Sequence, residues 1–309
     1  MLTSNRPARQ QRPQRSELSV PATSTRFFAK AAAGPADAVV LDLEDGVAPD
    51  RKAEARAGAI AALREIDWGD KTVSVRVNGI GTPWCHGDII EVAQACPRLD
   101  RIVLPKSADP FDIRFVAALL DGIEQEAPRI GIAALVETAR GVGQAEAIAA
   151  AHPRLETMIL GLGDYMREMR TPDSVVGLPN PDYAVAGHAN DQWHYALGRI
   201  ANACRGAGIR PIGPVYADIR DAEGLRAAAR RWRAMGFDGC WAIHPDQLAV
   251  INEAFSPDAA RIDWARRILA LLDRSAAEGA GAAKDDGMMV DAVHGHMARD
   301  ILRQAGLPA

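Results

Sequence analysis

From Glu17 onward, short β-branched or apolar runs alternate with longer Ala-rich stretches whose apolar positions recur at helical spacing. That alternation is the mark of repeated strand–helix units around a parallel sheet. Eight runs predict strands: Glu17–Val20, Ala38–Leu43, Thr72–Val77, Arg101–Leu104, Ile130–Val136, Thr157–Leu160, Arg210–Val215 and Gly239–Ile243. Between them Arg51–Glu65, Asp112–Glu126, Gly143–Ala151, Trp193–Ala207 and Ala222–Met235 predict helices, most with a stripe at i, i+3, i+4 spacing. Eight such units closed on themselves make an α/β protein of the TIM-barrel type; an open doubly wound sheet fits the count equally well.

The residues just beyond each strand favour the barrel. Strands buried on both faces carry ionisable groups where they emerge at one rim, which is where this fold builds its sites. The predicted strand ends carry, in order, Pro21, Glu44 with Asp45, Arg76 with Asn78, Lys106, Glu137, Asp164, Tyr216 with Asp218, and His244. Any strand must end in something polar, but a whole ring of ionisable groups points to a site. After Phe255 the pattern changes. Asp258–Ala276 reads as one amphipathic helix, EGAGAAKDDG as a flexible hinge, and Met288–Gln304 as a terminal helix carrying Asp291. The expected organisation is a loose tail over 1–14, a barrel over 15–255 and a helical extension over 256–309.

Composition narrows the function. The 309 residues are 48% apolar and 25% charged, with a net charge of −4, so no overall positive field draws the chain to nucleic acid or to an anionic membrane. No segment approaches the roughly 18 apolar residues of a membrane span. Cys85, Cys96, Cys204 and Cys240 are too scattered for a zinc knuckle or a redox pair. A reduced cytoplasm is the expected location.

Glu137 and Asp164 end consecutive predicted strands, so their carboxylates belong side by side at the barrel mouth, with Glu44 and Asp45 across the ring. Oxygen ligands without clustered Cys or His suit Mg2+, with Mn2+ as the alternative, rather than Zn2+. The plainer reading of the same groups is a set of structural ion pairs with Arg76 and Lys106. Arg76 offers a planar fork for a substrate carboxylate or enolate, or for Glu44 or Asp45. His244 reads equally well as a proton relay, a hydrogen-bond donor or a satisfied structural group. Gly141 and Gly143 do not open a dinucleotide fingerprint, because Glu146 stands where the third glycine belongs. His294 and His296, two residues apart, fall on different helical faces and do not chelate together.

The blocks VPATSTRFFAKA, AVVLDLEDGVAPDRKAEAR, VSVRVN, IVLPK, ALVETARGV, ILGLGDY and WAIHPDQ stand in an order that resembles the HpcH/HpaI aldolase and citrate lyase β-subunit (CitE-like) family, in its malyl-CoA lyase branch. The similarity runs from about Arg15 to the end. It implies a Mg2+-binding TIM barrel that cleaves a 3-hydroxyacyl-CoA into an acyl-CoA and a 2-oxo acid such as glyoxylate. By the same resemblance Glu137 and Asp164 are metal ligands, Arg76 contacts the oxo acid, and Glu44 with Asp45 supports the metal's waters. Lys30 and His244 belong to the substrate and CoA side, and Asp291 is similar to a lid aspartate that serves as acid/base in a neighbouring subunit. The resemblance thereby implies a homo-oligomer, trimer or hexamer. The chain departs from the lyase pattern on the thioester side: Ser19 replaces an aromatic residue, Ser24 an arginine, and PIGPVYAD over 211–218 a DGPF-like turn. Three further outcomes stay open: a thioester hydrolase, an aldolase on free 4-hydroxy-2-oxo acids, and a non-catalytic regulatory subunit of the same fold.

Overall fold

The computed structural model describes residues 12–95, 98–124, 129–172, 175–183 and 192–308. All eight predicted strands form: β1 (Ser16–Pro21), β2 (Ala38–Asp42), β3 (Thr72–Arg76), β4 (Arg101–Leu104), β5 (Gly131–Val136), β6 (Leu155–Leu160), β7 (Arg210–Gly213) and β8 (Gly239–Ala242). They pair in chain order as parallel neighbours, and β8 returns to β1 to close the barrel. The open doubly wound sheet is thereby excluded. Strand β7 stops short of the predicted Val215 because Pro214 brings no N–H to the ladder.

Helices α1 (Phe28–Ala33), α2 (Lys52–Glu65), α3 (Cys85–Ala95), α4 (Pro110–Ile123), α5 (Ala139–Gly143), α6 (Ala145–Ala149), α7 (Leu162–Met169), α8 (His194–Ala207), α9 (Ala222–Ala234) and α10 (Leu248–Phe255) connect and succeed the strands. Helix α4 starts two residues before the predicted Asp112. Asp109 caps it, accepting from the Phe111 N–H at 2.9 Å, and Pro110 occupies the first turn, where no donor is needed. The far end predicted for this helix, Glu126, lies outside the described residues. The helix predicted at Gly143–Ala151 is two short ones, α5 and α6, broken at Gln144.

Side chains alternate across each strand, so every second residue points into the barrel. The inward positions stack in layers. Lowest is an ionic layer of Glu17 and Arg101, 0% and 1% exposed, paired at 3.0 Å. Arg101 also reaches Ser74 and Thr157, and Gln14 donates to Glu17. Above it Val40, Val103, Ala133, Leu135, Ile159, Ile212 and Trp241 form an apolar layer. Above that, the same parity delivers Asp42, Arg76 and Glu137 to the mouth.

Residues 1–11 of the expected loose tail lie outside the described residues. Residues 12–14 are held rather than loose. Arg12 pairs with Asp100 at 2.9 Å, and Gln14 is buried beneath the barrel, because the lower ionic layer supplies partners for polar side chains.

The chain divides into two compact units, Met1–Ala254 and Phe255–Ala309. In the second, α11 (Ala259–Ala277) and α12 (Ala292–Gln304) enclose a small core of Ala265, Ile268, Val290, Ala298 and Leu302. The segment expected to be a flexible hinge is instead an antiparallel hairpin of β9 (Ala282–Asp285) and β10 (Met288–Asp291). Asp286 and Gly287 both take positive φ, 46° and 84°, the two-residue turn that an Asp-Gly pair favours. The terminal helix therefore begins at Ala292, with Asp291 as its cap, and not at Met288. No helix among the described residues is long and apolar enough to cross a membrane.

Asp100 ties the barrel floor together. It accepts from the Val73 N–H at 2.8 Å and from Arg98 and Arg12 at 2.6 and 2.9 Å. Burial pushes its pKa up, but Arg98, the Val73 N–H and Arg12 outweigh burial and hold it below the ordinary 3.8. A lowered carboxylate contributes stability above its unfolded pKa and loses it as pH falls through the folded value. Asp100→Asn should therefore lower unfolding stability by roughly 1.5–3 kcal/mol at pH 7, the deficit shrinking below about pH 4 in urea titrations. A deficit that stayed constant into acid would contradict this account.

Candidate active site

Arg76 emerges from β3 with its fork already committed. Its Nε and one terminal nitrogen donate to the two oxygens of Asp42, both at 2.7 Å. Its other terminal nitrogen, NH1, stands 3.1 Å from Glu44 Oε2 and 3.9 Å from Asp45 Oδ2. Burial pushes Asp42 up, yet Arg76 and the N–H groups of Glu44 and Gly46 hold it below the ordinary aspartate range. Arg76, expected to offer its fork to a substrate, thus has only NH1 turned toward the carboxylates of the mouth. The sequence reading missed Asp42, although β2's alternation makes it inward-facing two residues beyond Val40.

Lys106, just past β4, joins the acidic groups. It has φ of 54°, a left-handed conformation that costs a non-glycine residue of order 1 kcal/mol. In this turn its backbone N–H donates to Glu137 Oε1 at 2.6 Å. Its ammonium bonds Glu44 Oε1 and lies 3.7 Å from Asp45 and 3.4 Å from Asp164. A glycine would adopt the same backbone more cheaply but would bring no charge to the carboxylates.

Glu137, at the end of β5, is 3% exposed. Burial, joined by Glu44 and Asp164, pushes its pKa up to about 8 against the opposing pull of Lys106. Burial also raises Glu44, against Arg76 and Lys106. Glu44 Oε2 is buried without a hydrogen bond. Lys52 supports this loop from below, its ammonium donating to the Leu43 and Glu44 carbonyls at 2.7 and 2.8 Å. Asp164 sits in the first turn of α7, beyond β6, beside Arg167 at 3.1 Å. Gly161 makes room for Glu137: a Cβ there would lie 2.5 Å from Glu137 Oε2 and 2.7 Å from Glu137 Cβ.

The mouth therefore gathers Asp42, Glu44, Asp45, Glu137 and Asp164 around Arg76 and Lys106, an excess of negative charge in a partly dry setting. Among the described residues no three His, Cys, Asp or Glu side chains are grouped as a complete metal cage. The donors fit a hard cation that takes one or two carboxylates and keeps its waters, as Mg2+ does. A buried carboxyl raised by its acidic neighbours is what such a cation relieves. A cavity of about 520 Å3 adjoins Lys106, with Gly79, Pro105, Asp109 and Arg140 in its wall.

Of the remaining predicted residues, Lys30 and His244 follow β1 and β8. Lys30 is exposed on α1, after β1. His244, after β8, caps its own turn, its Nδ1 accepting from the Asp246 N–H at 3.3 Å. Strands β8 and β1 are neighbours, so these two rim segments are adjacent. The 211–218 segment is pinned there by Gln247, which donates to the Tyr216 carbonyl at 2.7 Å. Asp291 belongs to the second unit, where it accepts from the Val293 N–H at 3.0 Å and faces His294 Nδ1 at 2.9 Å. His294 and the helix N–H groups hold its carboxyl below the ordinary range.

The sequence profile described as HpcH/HpaI aldolase/citrate lyase matches residues 15–245. The L-malyl-CoA/beta-methylmalyl-CoA lyase of Cereibacter sphaeroides is 41% identical over 307 residues, covering 97% of this chain and 96% of that protein. The (3S)-malyl-CoA thioesterase of the same organism is 36% identical over 96% of both chains. Among solved structures, CitE from Mycobacterium tuberculosis in complex with magnesium, acetoacetate and coenzyme A superposes with a TM-score of 0.77. It is 34% identical, over 96% of this chain and 99% of that one. The chain belongs to the HpcH/HpaI aldolase/citrate lyase family.

Proposed function

We propose that the protein is a Mg2+-dependent carbon–carbon lyase that cleaves, or in reverse forms, a 3-hydroxyacyl-CoA such as malyl-CoA, with an acyl-CoA and a 2-oxo acid such as glyoxylate as the partners. The observation that carries this reading is the buried Glu137 carboxylate, bonded to the Lys106 N–H in the turn whose ammonium also reaches Glu44 and Asp164. It is supported by the 41% identity to the malyl-CoA/methylmalyl-CoA lyase over nearly the whole chain. Glu137 and Asp164 would hold Mg2+, with Glu44 and Asp45 bonding its waters; Mn2+ satisfies the same oxygen donors. When bound, the metal supplies Lewis-acid polarisation of the 2-oxo acid.

This chain's own groups do the rest. Arg76 NH1 and the Lys106 ammonium supply fixed positive charge where the oxo acid's carboxylate and carbonyl oxygen accumulate negative charge. In the condensing direction, Asp291 takes a proton from the α-carbon of the acyl thioester, and that carbon attacks the oxo acid's carbonyl. In cleavage the same bond breaks and the proton returns to the α-carbon. Its hydrogen bonds keep Asp291 ionised, the form a base requires. Lys30 and His244, on adjacent rim segments, are the proposed contacts for CoA. Asp291 is proposed to act on a neighbouring copy in a trimer or hexamer, and the described cysteines, all free and buried, suit a reduced cytoplasm.

A second reading, hydrolysis of the thioester, is favoured by the 36%-identical thioesterase. Assaying malyl-, methylmalyl-, citramalyl- and citryl-thioesters with Mg2+, scoring thiol release against 2-oxo acid formation, separates the two. Thiol release without oxo acid would overturn the lyase reading.

Glu137→Ala and Asp164→Ala should each lower kcat at least 10³-fold, on the order of losing metal-borne charge stabilisation, and abolish the Mg2+ heat signal in calorimetry while the fold persists. Undiminished turnover in either variant would refute the metal assignment. Asp291→Ala should leave Mg2+ uptake unchanged and slow turnover by about 10²–10⁴; wild-type rates would move suspicion to Asp286 or His244. Gly161→Ala should displace Glu137 and weaken Mg2+ binding with little change in circular dichroism. Unaltered affinity would mean that Glu137 is not a ligand.

A further inference from the structure

The apolar layer of the barrel contains one side chain with a polar handle, Trp241 on β8. Its indole Nε1 donates to Glu17 Oε2 at 2.8 Å. Glu17 is in turn fixed by Arg101, 3.0 Å from its other oxygen, and Arg101 by Ser74. The plane of the indole is therefore set from below by the ionic layer. On its other side, the guanidinium carbon of Arg76 lies 5.6 Å from the Trp241 ring centroid, within cation–π range.

We propose that Trp241 is a positioning residue that sets the orientation of Arg76, and through it the seat of the 2-oxo acid; the proposal rests on the lyase reading above. The two hydrogen bonds to Asp42 fix the guanidinium within its own plane, but a fork joined along one edge still swings out of that plane. The face of Trp241 stops that swing. Together the carboxylate edge and the aromatic face leave NH1 as the directed donor. An indole offers a broad ring face together with a ring N–H rigidly placed for a carboxylate beneath it.

The Glu17–Arg101 pair acquires a purpose from the same geometry. A fully buried ion pair adds little net stability over an apolar pair of the same volume. Here it anchors the ring that orients Arg76. The barrel interior thus runs as one connected stack: Arg101, Glu17, Trp241, Arg76, then Asp42 and Glu44 at the mouth.

The test uses the full-length Mg2+-loaded protein with Trp241→Phe, which keeps a ring face without the N–H, and Trp241→Leu, which keeps neither. In the condensing direction Trp241→Leu should raise the KM for glyoxylate about tenfold while the KM for the acyl-CoA stays within about twofold. Trp241→Phe should recover most of that loss. A parallel rise of both KM values with a fall in kcat that follows Tm would reduce Trp241 to a packing residue and overturn the proposal. Crystal structures of the two variants read the guanidinium directly, whether or not any thioester turns over. Arg76 NH1 should leave its place beside Glu44 in Trp241→Leu and keep it in Trp241→Phe. If the wild type turns over no thioester, the lyase reading fails, and the two crystal structures alone decide the positioning role. An unmoved guanidinium in Trp241→Leu overturns it.

Discussion

Closure of eight parallel strands with a two-residue repeat is the constraint on which the rest of the molecule depends. Each inward side chain shares its level with those of the other strands, so chemistry is sorted by depth. The lowest level pairs Glu17 with Arg101, the next is aliphatic apart from Trp241, and the uppermost holds Asp42, Arg76 and Glu137. Charge buried at any level needs a partner at that level or the adjacent one, because desolvating an unpaired ion costs several kcal/mol. At the floor that requirement is met in full. At the mouth five carboxylates, Asp42, Glu44, Asp45, Glu137 and Asp164, face Arg76 and Lys106, and the imbalance appears in the raised Glu137 carboxyl. That local deficit of positive charge sets the rim apart from the floor.

Much of this was legible in the residues. Apolar runs of four to seven located every strand, since a strand buried on both faces has a composition unlike its surroundings. The rim residues Glu44, Asp45, Arg76, Glu137 and Asp164 were visible as polar groups at the ends of those runs. Asp42 was hidden because it falls inside the predicted run Ala38–Leu43, and the pairing register shows that it ends β2 opposite Arg76. The ion pairing of Lys106 was legible as the plainer reading of that ring, but its backbone conformation was not. Its left-handed backbone is set by the tertiary fit of the β4 turn, and sequence alone gives no cue for a lysine in that conformation.

The C-terminal unit shows the opposite failure. Small residues over 279–283 suggested slack, and the helical period of the last segment suggested that the helix began at Met288. The Asp286-Gly287 pair was a stronger local signal, because its turn brings β9 and β10 together. Asp291 then falls at a strand-to-helix junction, where its carboxylate meets the first N–H groups of α12 and the His294 ring. A residue at such a junction has its side chain fixed by local bonds, so its direction is inherited from the hairpin.

By carrying an ammonium into the ring of carboxylates, the left-handed turn at Lys106 makes part of the rim's counter-charge a covalent portion of the polypeptide, beside Glu44, Asp45 and Asp164. Small metal-dependent domains do the reverse, since their chains collapse around an ion that supplies the charge from outside.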